Sequence, residues 1–321
     1  MIYHESDTCS IKYIITLICY NRTNQNQRTG GTMADKVYGD FTQEELDWQY
    51  NNRERVPEHA TLTGAYKARG DAFIQKAPHV FDIPFGATPA EVLDVYPAFD
   101  PDDLAPVLIF FHGGYWFSRH KDDFRYIPAG FTPAGAMVVV VNYALVPDVD
   151  LPELVRQCRA SVAWTHKNAK EHGGDPNNIH IAGHSAGGHI TAMMYATDWS
   201  EWDVDPGAIK GGMAVSGLYD LEPIRLNYMN PTLGFTPEIV ANYSPVHLKP
   251  ELEAPLVFAV GGAETPEFQR HNKMLMGPWS QAGLACEEVT VPGLNHFTIL
   301  EDFSTEGRTL NTRMRQLMGL S

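Results

Sequence analysis

The pentapeptide Gly183-His184-Ser185-Ala186-Gly187 leaves the fewest options for the fold. It follows an apolar run of strand length, Asn178 to Ala182, and precedes a small-residue segment compatible with helix, Ala186 to about Thr197. Glycine two residues to either side of a serine permits a strand-to-helix turn too tight for larger residues, and such a turn pushes the hydroxyl outward. The amide of Ala186 would face the same space, with a helix N-terminus behind it. An isolated Gly-x-Ser-x-Gly is only moderately specific, so its surroundings decide.

Those surroundings alternate. An arm at 41–76 reads as helical: Thr42 with Glu44 and Glu45 marks a capped start, and a second helical stretch covers Thr63 to Lys76. Val80 to Pro84 and Glu91 to Tyr96 flank a Gly86-Ala87-Thr88-Pro89 turn and predict a hairpin. Pro106 to Phe111 is a continuous apolar run, as expected of a strand buried on both faces, and it ends in His112-Gly113-Gly114-Tyr115-Trp116. A helix over Asp122 to Ala134, a strand over Met137 to Val141 and a helix carrying Leu151, Leu154, Val155, Cys158 and Val162 are expected next. After the serine turn come strands at Gly212 to Val215, Pro255 to Val260 and Cys286 to Val291, a helix from Pro266 and a final helix from about Phe303 to Met318. Strands alternating with helices mean an α/β fold: a mostly parallel, doubly wound sheet with helices on both faces. The irregular stretch 219–248, rich in proline, asparagine and aromatics, reads as a small cap.

Within 321 residues, residues 33–321 suffice for one large domain. Residues 1–32 look foreign to it. Ile11 to Tyr20 is apolar but shorter than a membrane span and lacks a basic flank, and Asn21 to Thr32 is polar, so a disordered extension with Met33 as the natural start is expected. A formal charge of −15 without a basic cluster argues against nucleic acid and anionic membranes as partners. Four scattered cysteines suggest neither disulfides nor a zinc site, and a reducing, cytoplasmic location fits. A homodimer is compatible with the sequence.

In a parallel sheet, ligands bind beyond the carboxyl ends of the strands. Gly261-Gly262-Ala263-Glu264-Thr265-Pro266-Glu267 follows one strand there, and Pro292-Gly293-Leu294-Asn295-His296 follows the last. Serine, acid, histidine is the chain order of an α/β-hydrolase. A serine hydroxyl needs a neutral imidazole to take its proton and a carboxylate to orient that imidazole. His296 is the base, and His184 and His189 belong to the turn itself. Glu264 is chosen as the acid; Glu267, at a helix start where the dipole alone explains a carboxylate, and Asp220 remain alternatives. Gly113, Gly114 and Ala186 would supply the oxyanion amides, and Tyr115 and Trp116 a wall for an aromatic leaving group, core packing being the other reading of these two rings.

His112-Gly113-Gly114-Tyr115-Trp116, Gly183 to His189, Gly217-Leu218-Tyr219-Asp220-Leu221-Glu222-Pro223 and Thr265-Pro266-Glu267-Phe268 together resemble the kynurenine formamidase (arylformamidase) group of α/β-hydrolases over about residues 41 to 318. The resemblance implies cleavage of N-formylkynurenine to kynurenine and formate, in tryptophan breakdown, without metal or cofactor. Related esterases usually carry His-Gly-Gly-Gly where this chain has His112 to Tyr115. Family members commonly place aspartate where this chain has Glu264. Two other readings stand beside this one: a broad carboxylesterase or amidase using the same triad, and a hydrolase-fold binding protein without catalysis.

Overall fold

Strands β3 (Ala105–Phe111) and β4 (Met137–Val141) lie parallel, with Val107 opposite Met137 and Phe111 opposite Val141. Both are apolar throughout because both of their faces are covered. Val107, Ile109 and Phe111 enter one core with Val139 and Val141, while Leu108 and Phe110 enter a second with Val138 and Val140. The structure is a computed structural model describing residues 35–320. Residues 37–321 form one compact unit. The expected disordered extension, 1–32, lies outside the described residues.

The other strands are β1 (Val80–Pro84), β2 (Val92–Tyr96), β5 (Gly174–His184), β6 (Ile209–Val215), β7 (Leu256–Gly261) and β8 (Cys286–Val291). They form a single sheet ordered β1-β2-β4-β3-β5-β6-β7-β8. Strands β3 to β8 run parallel; β2 opposes β4 and pairs antiparallel with β1, which is the expected hairpin. The ends of β3, β5, β6, β7 and β8 therefore converge on one edge.

Helices cover both faces. The arm supplies α1 (Gln43–Tyr50), α2 (Asn52–Arg55) and α3 (His59–Ile74). A capping box between Thr42 and Glu45 starts α1, as the sequence predicts. Helices α4 (Leu151–Asn168) and α5 (Ala186–Tyr195) pack on one face. The 219–248 stretch holds three short helices, α6 (Glu222–Arg225), α7 (Asn230–Leu233) and α8 (Pro237–Tyr243). Helix α9 (Pro266–Gln281) follows, and α10 (Ile299–Ser304) and α11 (Thr309–Leu317) close the second face. Among the described residues no helix is long and apolar enough to cross a membrane.

Two expected helices are corrected. Asp122 to Ala134 is a chain of 3-10 turns at 121–124, 127–130 and 132–134, because Pro128 and Pro133 cannot donate within a helix and Gly135, at φ +95°, ends the last turn. The final helix is two, broken where Gly307 takes φ +76°.

Candidate active site

Ser185 sits between β5 and α5 at φ +59°, ψ −118°, a conformation that costs a residue with a side chain roughly 1–3 kcal/mol. Its surroundings impose it. The Ser185 amide donates to the Val215 carbonyl of β6 at 2.9 Å, and its carbonyl accepts from His189 of α5 at 3.1 Å. A Cβ on Gly183 would overlap the Gly187 carbonyl, and one on Gly187 would overlap that of Phe111, so only glycine fits two residues to either side. The turn brings β5, α5 and the end of β3 into backbone contact and aims the hydroxyl at the strand ends.

His296, in the loop after β8, places Nε2 3.0 Å from Ser185 Oγ and Nδ1 2.6 Å from Glu264 Oε2. With a carboxylate at Nδ1, the proton resides there and Nε2 keeps its lone pair toward the serine. His184 and Phe268 flank the His296 ring, each with centroids 4.5 Å away. Burial holds His184 well below the usual imidazole pKa, so it stays neutral beside His296.

The carboxylate is fixed at both oxygens. Glu264 Oε1 accepts from the Gly261 amide at 2.8 Å and from Ser216 Oγ at 2.5 Å, leaving Oε2 for His296. The other acids face elsewhere. Glu267 accepts from Tyr50 Oη at 2.8 Å and from Arg270 Nη2 at 2.7 Å, and Asp220 accepts from Tyr38 Oη at 2.7 Å. The structure thus brings Ser185, His296 and Glu264 together, while Glu267 joins Tyr50 of the arm to α9 and Asp220 holds Tyr38.

Gly113 lies close against this group: a Cβ on it would stand 2.9 Å from the His184 carbonyl and 3.0 Å from Ser185 Cβ. Gly114 takes φ +123°. Among the described residues the amides of Gly113, Gly114 and Ala186 have no protein acceptor, which leaves them available to a developing oxyanion. Tyr143 steadies the loop from below. Its Oη donates to the His112 carbonyl at 2.6 Å, and its ring stacks on His112 at 4.2 Å. Burial lowers the His112 pKa to about 4.

The two aromatics after Gly114 diverge. Tyr115, at φ +50°, stays partly exposed, donates to the Tyr50 carbonyl at 2.7 Å and accepts from Asn52 Nδ2 at 3.2 Å. Trp116 is fully buried. Its indole Nε1 donates to His189 Nδ1 at 3.2 Å, and His189 Nε2 donates to the Tyr243 carbonyl at 2.8 Å. The expectation that Trp116 lines the leaving-group side is corrected: its N–H finds its acceptor on α5, and the ring packs on Phe235 inside the core. Ser216, Tyr143 and Asn52 enter the site without a local signal in the sequence; only their position after strands β6 and β4 and in the arm could have raised them, whereas Phe268 belongs to the Thr265-Pro266-Glu267-Phe268 run at the start of α9. Among the described residues no group of three or more His, Cys, Asp or Glu is placed to hold a metal ion.

The family model BD-FAE matches residues 93–210, from β2 through the elbow. A kynurenine formamidase of Danio rerio is 33% identical over 247 residues, covering 75% of this chain and 83% of its own. One from Salmo salar is 30% identical over 295 residues, covering 89% and 97%. A solved Silicibacter structure assigned as a thioesterase superposes with a TM-score of 0.74 at 25% identity, over 84% of this chain and 98% of its own.

Proposed function

Because the chain belongs to the kynurenine formamidase family of α/β-hydrolases, we propose that it hydrolyses N-formylkynurenine to formate and kynurenine through a formyl-Ser185 intermediate. The observation that carries the chemistry is the unbroken relay from Ser185 Oγ through the His296 ring to Glu264 at 3.0 and 2.6 Å. His296 Nε2 takes the serine proton as Oγ attacks the formyl carbon. The oxyanion that forms is met by the amides of Ala186 and of Gly113 or Gly114, each such donor worth roughly 3 kcal/mol. When the C–N bond breaks, the imidazolium returns the proton to the leaving aryl amine. A water then gives a proton to the same nitrogen and attacks the formyl ester, and formate departs as Ser185 is reprotonated.

Glutamate in place of the family's usual aspartate is compatible with this role. Its longer side chain is held by Ser216 and Gly261 while Oε2 still meets His296. The acyl group is small, so selectivity must come from the leaving-group side, where Tyr115 stays open. A triad and oxyanion site of this kind also serve esters, which makes a broad esterase the second reading. The scattered cysteines, Cys158 buried and both Cys158 and Cys286 unpaired, fit a cytoplasmic enzyme.

The test is kcat/KM on N-formylkynurenine beside p-nitrophenyl acetate, with formate measured. A large preference for the formamide, with formate and kynurenine released one to one, supports the proposal. Good ester turnover with negligible formamide cleavage moves the protein to the esterase reading.

A further inference from the structure

Three parts of the chain meet beside the oxyanion loop. From the arm, Asn52 and the Tyr50 carbonyl hold the Tyr115 hydroxyl. From the 219–248 segment, the Tyr228 amide donates to Asp47 Oδ1 at 2.9 Å, and Gln43 Nε2 of the arm donates to the Leu226 carbonyl at 3.0 Å. The Tyr228 side chain is left 40% exposed at this junction. Arg53 follows Asn52 directly, on the same short helix.

Arg53 has no hydrogen bond or ion pair among the described residues, whereas its neighbour Arg55 lies over the Trp48 ring at 5.2 Å. Its electrostatic neighbours are Arg119, Tyr228 and Tyr115; crowding by surrounding protein and then Arg119 lower its pKa, and the two phenols oppose them. An arginine stays charged under such pressure. Arg119, four residues after Tyr115, meets its acid Asp123 only at 3.9 Å. A chain of net charge −15 thus sets the exposed Arg53 near the half-buried Arg119, whose side chain runs beside Gly114 (a Cβ there would stand 3.0 Å from Arg119 Cγ), and gives Arg53 no carboxylate among the described residues. Asn52, Tyr50, Asp47 and Gln43 carry the hydrogen bonds that hold this part of the arm to Tyr115 and to the 219–248 segment, and Arg53 carries none of them.

We propose that Arg53, with Arg119 beside it, forms a subsite for a carboxylate on the leaving group, the amino acid end of a formylated aryl amine. This rests on the function proposed above. With the formyl carbon at Ser185 and the aryl ring along Tyr115, a side chain on that ring extends toward the arm. Asn52, the residue before Arg53, donates to the Tyr115 hydroxyl, and that hydroxyl donates to the Tyr50 carbonyl, so the stretch of arm that carries Arg53 meets the ring that follows the oxyanion loop. A guanidinium fork matches a carboxylate in shape and binds it by two parallel hydrogen bonds, and here it also reverses locally the acidic field that would repel such a substrate.

The experiment compares wild type, Arg53→Met and Arg53→Lys in two assays. In the first, kcat and KM are measured on N-formylkynurenine and on N-formylaniline, which lacks the amino acid end. In the second, kynurenine and 2-aminoacetophenone are titrated as inhibitors of p-nitrophenyl acetate hydrolysis. Arg53→Met should raise KM for N-formylkynurenine and Ki for kynurenine by about 10- to 100-fold, with kcat little changed, and Arg53→Lys should recover part of the loss. N-formylaniline and 2-aminoacetophenone should respond within about twofold. Equal losses on both members of each pair, or no loss on either, overturn the subsite. If wild type does not cleave N-formylkynurenine but kynurenine still inhibits through Arg53, the formamidase reading falls and the carboxylate site stands.

Discussion

Ser216 Oγ donates to Glu264 Oε1 at 2.5 Å, so the carboxylate that meets His296 is itself held from the residue that follows strand β6. Ser216→Ala leaves the Gly261 amide as the only partner of that oxygen. A loss of about 1–2 kcal/mol of orientation predicts a roughly 5- to 30-fold fall in kcat with KM unchanged. Steady-state kinetics check it. Because Ser216 acts on the acid, the change should be accompanied by an altered pH profile of kcat, which a loss of packing would not produce.

The two glutamates after β7 should separate by kinetics. Glu264→Gln removes the acceptor that fixes the His296 tautomer and should lower kcat by about 10⁴-fold. Glu267→Gln weakens bonds to Tyr50 and Arg270 instead. It should cost about 1–3 kcal/mol of stability in urea unfolding, with kcat within about tenfold of wild type.

Gly113→Ala tests the oxyanion loop. The added methyl meets the His184 carbonyl at 2.9 Å and Ser185 Cβ at 3.0 Å, so the loop must retreat from the serine and carry its amides away. A fall of about 10²- to 10³-fold in kcat is expected, and labelling of Ser185 by a fluorophosphonate should slow with it.

Much of this was legible in the sequence, for reasons visible in the fold. The strands show because burial on both faces demands runs such as Val107 to Phe111, and the order serine, acid, histidine shows because all three follow parallel strands at one edge. What was hidden depends on contacts between distant segments. Ser216 acquires its role only when β6 pairs with β7, setting Val215 beside Ala259 near the loop that carries Glu264. The direction of Trp116 is decided by an acceptor on α5, seventy-three residues away. The helix expected over Asp122 to Ala134 ignored what Pro128 and Pro133 do to helical hydrogen bonding.

Stability should fall in mild acid. Burial pushes His112, His180 and His189 each down to about 4, whereas in the unfolded chain they titrate near 6.5. Between those limits the unfolded state binds protons that the native state refuses, so ΔG of unfolding drops as pH falls, by up to about 1.4 kcal/mol per pH unit per histidine. Above about pH 6.5 these groups contribute no slope. Urea midpoints measured near pH 7 and near pH 5 should show a clear decrease, and equal midpoints would contradict the neutral burial of these rings.

The most direct test of the central claim is kcat of Ser185→Ala on N-formylkynurenine, measured on protein whose circular dichroism and unfolding midpoint match wild type. If Ser185 is the nucleophile, kcat falls by about a million-fold. A folded variant that retains more than about a hundredth of wild-type turnover would show that the formyl group is transferred by some other route, and the relay through His296 and Glu264 would lose its role.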